Sequence, residues 1–238
     1  MIKRQIELNT HISGKFNQEL ENLTNSVLTM GGEVEQQLIQ ALTAIRENNA
    51  KLAEKVVIND ARIDSMQTQI DNECMRIIAK RNPTASDLRL IMTVTKATVE
   101  IERIGDEIER MAKLVTSDSV PSSELIKSGM LSLGDKIVLM MRGTFDAFAR
   151  QDEAAAVAIY DQDNAIDKQH KELLRQTADE IQADERNLHE WFEVLWSIRA
   201  IERIGDRCKN ICEFVVFMTY GKDTKLKTIK KNIKKLRK

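Results

Sequence analysis

Turn-forming and aromatic residues are scarce in this chain: 2 of its 238 residues are proline, 9 are glycine and 4% are aromatic. A β-sandwich or barrel needs turn signals every ten residues or so, so the shortage argues for an all-α protein. The wealth of Leu, Ile, Ala, Glu, Lys and Gln argues the same way. Cysteine is rare too. Its three copies are an odd number without paired Cys/His spacing, which speaks against a disulfide framework or a zinc finger and for reduced thiols packed in a core. No run of about 18 uncharged apolar residues occurs, and the opening MIKRQIELNTHISG lacks the apolar centre of a secretion signal. A cytoplasmic protein is therefore expected. A Gly-rich phosphate loop, an H-E-x-x-H pair and a nucleophile elbow are all missing, so no enzyme is expected.

Net charge is also small, −1 from 36 basic and 37 acidic residues, but the total conceals a segregation. Residues 222–238 carry nine Lys/Arg and one Asp, a basic tail of +8 that leaves residues 1–221 at about −9 by difference. The tail KLKTIKKNIKKLRK sets Leu226, Ile229, Ile233 and Leu236 at helical spacing among lysines. Such a segment can lie on an anionic surface or remain a frayed terminus. No nucleic-acid partner is expected.

What is present is helical periodicity. Phe16, Leu20, Leu23, Val27, Met30, Val34, Leu38, Ala41 and Ile45 step by three or four residues, one apolar stripe on a helix nearly forty residues long. A second line runs Ala53, Val56, Asp60, Ile63, Gln67, Ile70, Cys74, Ile77, interrupted by an acid at Asp60. Pro83 breaks the pattern, and a third helix carries Val94, Ala97, Ile101, Ile104, Ile108, Met111 and Val115. TSDSVPSSE, residues 116–124, reads as a linker.

Beyond the linker the same programme recurs. Residues 41–64 align with 144–167 at an offset of 103, and IERIGD at 101–106 recurs at 201–206 at an offset of 100. A chance match of six residues has odds on the order of one in a thousand, so the chain is an internal duplication. Each half reads as three long helices with short connections, which pack as antiparallel bundles. The expected architecture is two tandem three-helix bundles: a first repeat over 10–117, a second over 125–221, and the tail 222–238.

Acids follow the same register. In the third helix of each half, the line Leu88, Met92, Thr95, Val99 ends in Glu102 and Asp106, and Leu188, Phe192, Leu195, Arg199 ends in Glu202 and Asp206. These lines read as packing surfaces that turn acidic halfway. The preceding helices carry Asp60 with Asp64, and Asp163 with Asp167. Residues four apart share a helix face, so antiparallel neighbours would bring four carboxylates together in each half. Their mutual repulsion and desolvation call for cations, and an all-oxygen donor set favours hard ones such as Fe(III), Mn, Mg or Ca over a structural zinc. Charged pairs at this spacing are most often solvated faces, and Arg103 or Arg203 offers an internal alternative to metal. Gly105 and Gly205, each between two acids on a helix, point to a close approach of something to the backbone. His170 stands three residues after Asp167, but its counterpart is Gln67. Cys208 and Cys212 replace Ile108 and Ala112 and read as packing, and Trp191 and Trp196 as core or interface aromatics.

HISGKFNQELENL, MGGEVEQQL, RIIAKRNPTASDLR and the paired IERIGD resemble the PhoU family of phosphate-specific transport accessory proteins over about residues 10–222. That resemblance implies two three-helix bundles and homodimerisation. It implies a polynuclear metal cluster, iron first, with zinc, manganese or magnesium as the other candidates, held by Asp60, Asp64, Glu102 and Asp106 and by Asp163, Asp167, Glu202 and Asp206. It also implies a non-catalytic adaptor between the phosphate ABC transporter ATPase and a phosphate sensor histidine kinase, associated with the membrane through those partners and repressing the phosphate-starvation regulon when phosphate is plentiful. The Lys-rich tail is not part of the family pattern. Two other readings are a ferritin-like di-metal oxidoreductase, whose Glu-x-x-His pairs are absent here, and a metal-free helical dimerisation module.

Overall fold

A computed structural model describes residues 14–183 and 188–221; residues 10–13 of the expected first repeat and the basic tail lie outside them. Six helices follow one another: α1 (Gly14–Glu47), α2 (Ala50–Arg81), α3 (Ala85–Thr116), α4 (Glu124–Arg150), α5 (Glu153–Ala183) and α6 (Leu188–Tyr220). The all-α class and the tandem three-helix arrangement are those expected. The stripe from Phe16 to Ile45 is buried throughout, as are Ala53, Val56, Ile63, Ile70, Cys74 and Ile77, while Asp60 and Gln67 sit half-buried at the edge of that line.

Helix boundaries repeat at atomic detail. Asn48 takes a left-handed conformation at the end of α1, and Asn49 caps α2 by accepting a hydrogen bond from the Leu52 amide at 3.1 Å. Gln151 is left-handed at the end of α4, and Asp152 accepts from the Ala155 amide at 3.0 Å. A left-handed residue closes one helix and a short polar side chain opens the next. The same two-residue turn thus recurs 103 residues later.

The halves pack face to face. Gly31 on α1 lies under the Phe145 ring of α4, and its counterpart Gly134 lies under Leu42, the counterpart of Phe145. A side chain at either glycine would collide with the opposite helix. Helices α3 and α6 cross in opposite directions: Lys96 stacks on Phe214 and Phe217, Glu100 accepts from Arg207 and Asn210, Glu107 accepts from Arg203 at 2.9 Å, and Arg110 covers Trp196. These reciprocal contacts define a pseudo-twofold through the middle of α3 and α6, close to the repeated IERIGD.

One expected surface is not a packing surface. Leu88 is 39% exposed, Met92 42%, Leu188 50% and Phe192 58%. Neighbours in its own repeat and α6 already take up the buried arcs of α3, and this line is the arc left to solvent. Trp191 packs against the core from a half-buried position; Trp196 is an exposed aromatic under Arg110 at the contact between repeats. The three cysteines are buried, as expected of packing residues.

Candidate functional site

In the first repeat, α2 and α3 run antiparallel, and Asp60 meets α3 at Gly105. A Cβ on Gly105 would stand 2.7 Å from Asp60 Oδ1, so only glycine admits the carboxylate at its present position. The two i, i+4 pairs face each other across this contact. Burial, followed by the like charges of Asp64, Asp106, Glu109 and Glu102, pushes the Asp60 carboxyl up to about 6. Burial and the charges of Asp106 and Asp64 raise Glu102, and burial with Asp64 and Glu109 raises Asp106. Among the described residues none of Asp60, Asp64, Glu102 and Asp106 makes an ion pair. Glu109 is a fifth acid beside the quartet, its own charge tied at 2.6 Å to Lys113.

The second repeat gathers the matching quartet. Asp163 is buried, with Asp167 and Asp206 acting on it and on Glu202 through space. Here the charge is answered from within. Lys209 Nζ lies 2.6 Å from Asp163 Oδ2 and 2.6 Å from Asp206 Oδ1. Burial works against its ammonium, but the hydrogen bonds to Asp163 and Asp206 outweigh it and hold the Lys209 pKa well above its ordinary value. Burial pushes Asp163 up, and the ammonium offsets only part of that push. Asp163 Oδ1 stands 3.8 Å from the Cβ position of Gly205, which is met more closely by Ile137 Cδ1 at 3.0 Å. The aspartate that rests on glycine in the first repeat is held beside lysine in the second.

Lys209 is the residue that sequence reasoning missed. Extending the offset of 100 three residues past IERIGD sets Glu109 against Lys209, a reversal of charge visible in the alignment. Of the expected internal cations, Arg103 leans on Glu100 at 3.8 Å and acts on Glu102 and Asp106 only through space, while Arg203 crosses to Glu107. His170 lies near enough to the second quartet for Asp167 and Asp206 to act on it through space. Its Nε2 is buried without a hydrogen-bond partner, and burial lowers its pKa against the pull of Asp167 and Asp206.

The donor chemistry of the two quartets differs accordingly. Among the described residues no three His, Cys, Asp or Glu side chains converge closely enough to hold a metal ion as they stand. The first quartet offers only carboxylate oxygens, unpaired and mutually repelling, and Asp60 rests in a cradle that a Cβ would fill. Such a set fits a hard cation, which would draw the carboxylates inward. The second quartet, with an ammonium already between two of its acids, does not fit one in the same way.

Six helices in two matching sets of three, each set with its own acidic face, define the class as a duplicated all-α bundle protein. The PhoU domain profile matches residues 27–115 and 130–215, one copy per repeat. The phosphate-specific transport system accessory protein PhoU of Serratia marcescens is 42% identical over 220 residues, covering 92% of this chain and 90% of that protein. The protein of the same name from Escherichia coli strain K12 is 42% identical over 218 residues. A crystal structure of PhoU from Pseudomonas aeruginosa superposes with a TM-score of 0.82 at 35% identity, covering 87% of this chain and all of that one. The chain belongs to the PhoU family.

Proposed function

We propose that this protein is a non-catalytic regulator of phosphate transport, linking the ATPase of a phosphate ABC transporter to a phosphate sensor histidine kinase and repressing the starvation response when phosphate is plentiful. The observation that carries the reading is the likeness, across both repeats, to proteins named as accessory to phosphate-specific transport. A homodimer is part of the same proposal. No helix among the described residues is long and apolar enough to cross a membrane, which accords with attachment through partners. The bundle supplies rigid helical faces: Leu88 and Met92 stand exposed at one end of the α3–α6 pair and Leu188, Phe192 and Trp196 at the other, two patches suited to protein contact.

In this reading Asp60, Asp64, Glu102 and Asp106 hold a hard cation, with iron the first candidate for a cluster and manganese, magnesium or zinc after it. Bound there, the cation would supply positive charge between α2 and α3. The residues themselves bring four carboxylates to one groove and keep a glycine beneath Asp60. Asp163, Asp167, Glu202 and Asp206 form the corresponding face of the second repeat. The test is a pull-down of the transporter ATPase and of the kinase from cells grown at high and at low phosphate. Capture that changes with phosphate is expected; loss of both contacts in every condition refutes the adaptor. Elemental analysis of protein purified without chelators tests the cation separately, since metal-free protein that still restores repression removes it from the function.

A further inference from the structure

The two acidic faces are copies of one ancestral face, but a single position has reversed its charge. Glu109 adds a fifth carboxylate beside the first quartet, whereas Lys209 at the equivalent place in α6 inserts an ammonium between Asp163 and Asp206, 2.6 Å from each. The lysine side chain is only 19% exposed, and that of Asp163 only 11%. This is a packed pair in the groove between α5 and α6, not a solvated one on its rim. Lys209 also stands three residues after Asp206 on the same helix, so one turn of α6 sets its ammonium over that acid while the stem reaches across to α5.

We propose that Lys209 is a tethered counter-ion that takes, in the second repeat, the place a multivalent cation takes in the first, so that the duplicated faces are unequal and only the first loads metal. The inference rests on the reading of the first quartet as a cation site. A monovalent ammonium cannot bridge four carboxylates as a metal does, yet it neutralises one charge, occupies the lone pairs of two ligands and repels an approaching cation. Asp163 and Asp206 would have to release it before either could ligate. Among the described residues no cation is inserted into the first face in this way: Lys113 is held by Glu109, and Arg103, Arg110 and Arg207 act on Glu102 or Asp106 only through space. The duplication thus yields one face that responds to metal supply and one whose packing is independent of it.

The experiment is a reciprocal exchange. Chelator-stripped wild type, K209E, K209Q, E109K, D60N and D163N are titrated with Mn²⁺, and bound ion is counted from the loss of the free Mn²⁺ electron paramagnetic resonance signal. Circular dichroism on the same samples reports folding. The wild type is expected to bind Mn²⁺ in the first repeat alone, with D60N and E109K each weakening binding tenfold or more and D163N leaving it unchanged. K209E is expected to double the number of ions bound. K209Q, which keeps the size of the side chain without its charge, is expected to gain at least 3 °C more in melting temperature from Mn²⁺ than the wild type does. Equal loss of Mn²⁺ in D60N and D163N would show both repeats loading with Lys209 in place and overturn the proposal. So would folded K209E and K209Q that gain nothing. A wild type that binds no Mn²⁺ while K209E binds it would instead remove the reading of the first quartet and leave the role of Lys209 standing.

Discussion

Asp60 and Asp163 occupy the same place in their repeats, each four residues before a second aspartate and each opposite a Glu-x-x-x-Asp pair. Their surroundings differ in the sign of one residue. Around Asp60 burial and then the charges of Asp64, Asp106, Glu109 and Glu102 are the largest influences, and its carboxyl is pushed up to about 6. Around Asp163, which is the more deeply buried, Lys209 hydrogen-bonds to it and to Asp206 and offsets part of the upward push of burial. A buried carboxylate is tolerable when a cation is attached to the chain. Where none is attached, the group must hold its proton, remain half-buried or recruit a charge from solution. The repeats display both solutions on one backbone.

Removing the tethered charge should have the largest effect. K209M leaves Asp163 buried without its partner; breaking a fully buried ion pair from one side costs about 3–5 kcal/mol, and the slight exposure of this one brings the expected loss to about 2–4 kcal/mol. E109Q, the change at the equivalent position, removes an ion pair with an exposed lysine and also one of the charges repelling Asp60; these oppose each other and should shift stability by less than about 0.5 kcal/mol. Urea unfolding of the chelator-treated protein measures both, and comparable losses in the two variants would erase the distinction between the faces.

Next in size are the aspartates. D163N leaves Lys209 with Asp206 alone, whose side chain is 47% exposed, and should cost about 1–2 kcal/mol. D60N removes a repelled charge and should stabilise the metal-free protein by about 1 kcal/mol at pH 7, the shift being discounted for partial exposure. The pH dependence follows in sign. Asp60 holds its proton in the folded state up to about 6, above the 3.8 of an ordinary aspartate, so between those values the native state binds more protons than the unfolded one. Stability of the metal-free protein should therefore fall as pH rises from about 4 to about 6 and level off above it. D60N should flatten that slope, and chemical denaturation at pH 4, 5, 6 and 7 in the presence of chelator reads the difference. A slope that survives in D60N would assign it to other carboxyls. Glu19 titrates in the opposite sense: the hydrogen bond from Arg81, joined by Arg76, holds its carboxyl down at about 2, so the stability it brings to the α1–α2 contact is complete above its ordinary 4.5 and is lost as pH falls toward 2.

Much of this is legible in the sequence alone. The stripe from Phe16 to Ile45, the acid at position 60 in an apolar line and the recurrence of IERIGD specify three helices, their doubling and two quartets, because each depends on spacing within one helix or on identity between halves. The turn at Asn48–Asn49 and its counterpart at Gln151–Asp152 are equally local. What spacing does not encode is which arc of a helix meets the other repeat. The antiparallel crossing of α3 and α6 drew Arg203 to Glu107 and away from the quartets, and it turned Leu88 and Met92 toward solvent. Lys209 falls between these cases. Its three-residue step from Asp206 is a sequence property, while its reach to Asp163 depends on how closely α5 lies against α6.

The smallest stability effects belong to the paired glycines, and they separate the faces by a different route. Alanine is preferred to glycine in a helix interior by about 1 kcal/mol. At Gly105 the added methyl meets Asp60 Oδ1 at 2.7 Å, the tip of a side chain that no ion pair restrains. Asp60 can rotate away, so G105A should leave the metal-free protein within about 0.5 kcal/mol of wild type while taking the carboxylate out of its position over the helix. At Gly205 the methyl meets Ile137 Cδ1 at 3.0 Å and keeps 3.8 Å from Asp163, so G205A disturbs packing but not the Asp163–Lys209 pair. Titration with Mn²⁺ followed by melting temperature should then show a diminished shift in G105A and an unaltered one in G205A. An undiminished shift in G105A would mean that the approach of Asp60 to the backbone of α3 plays no part in gathering the first quartet.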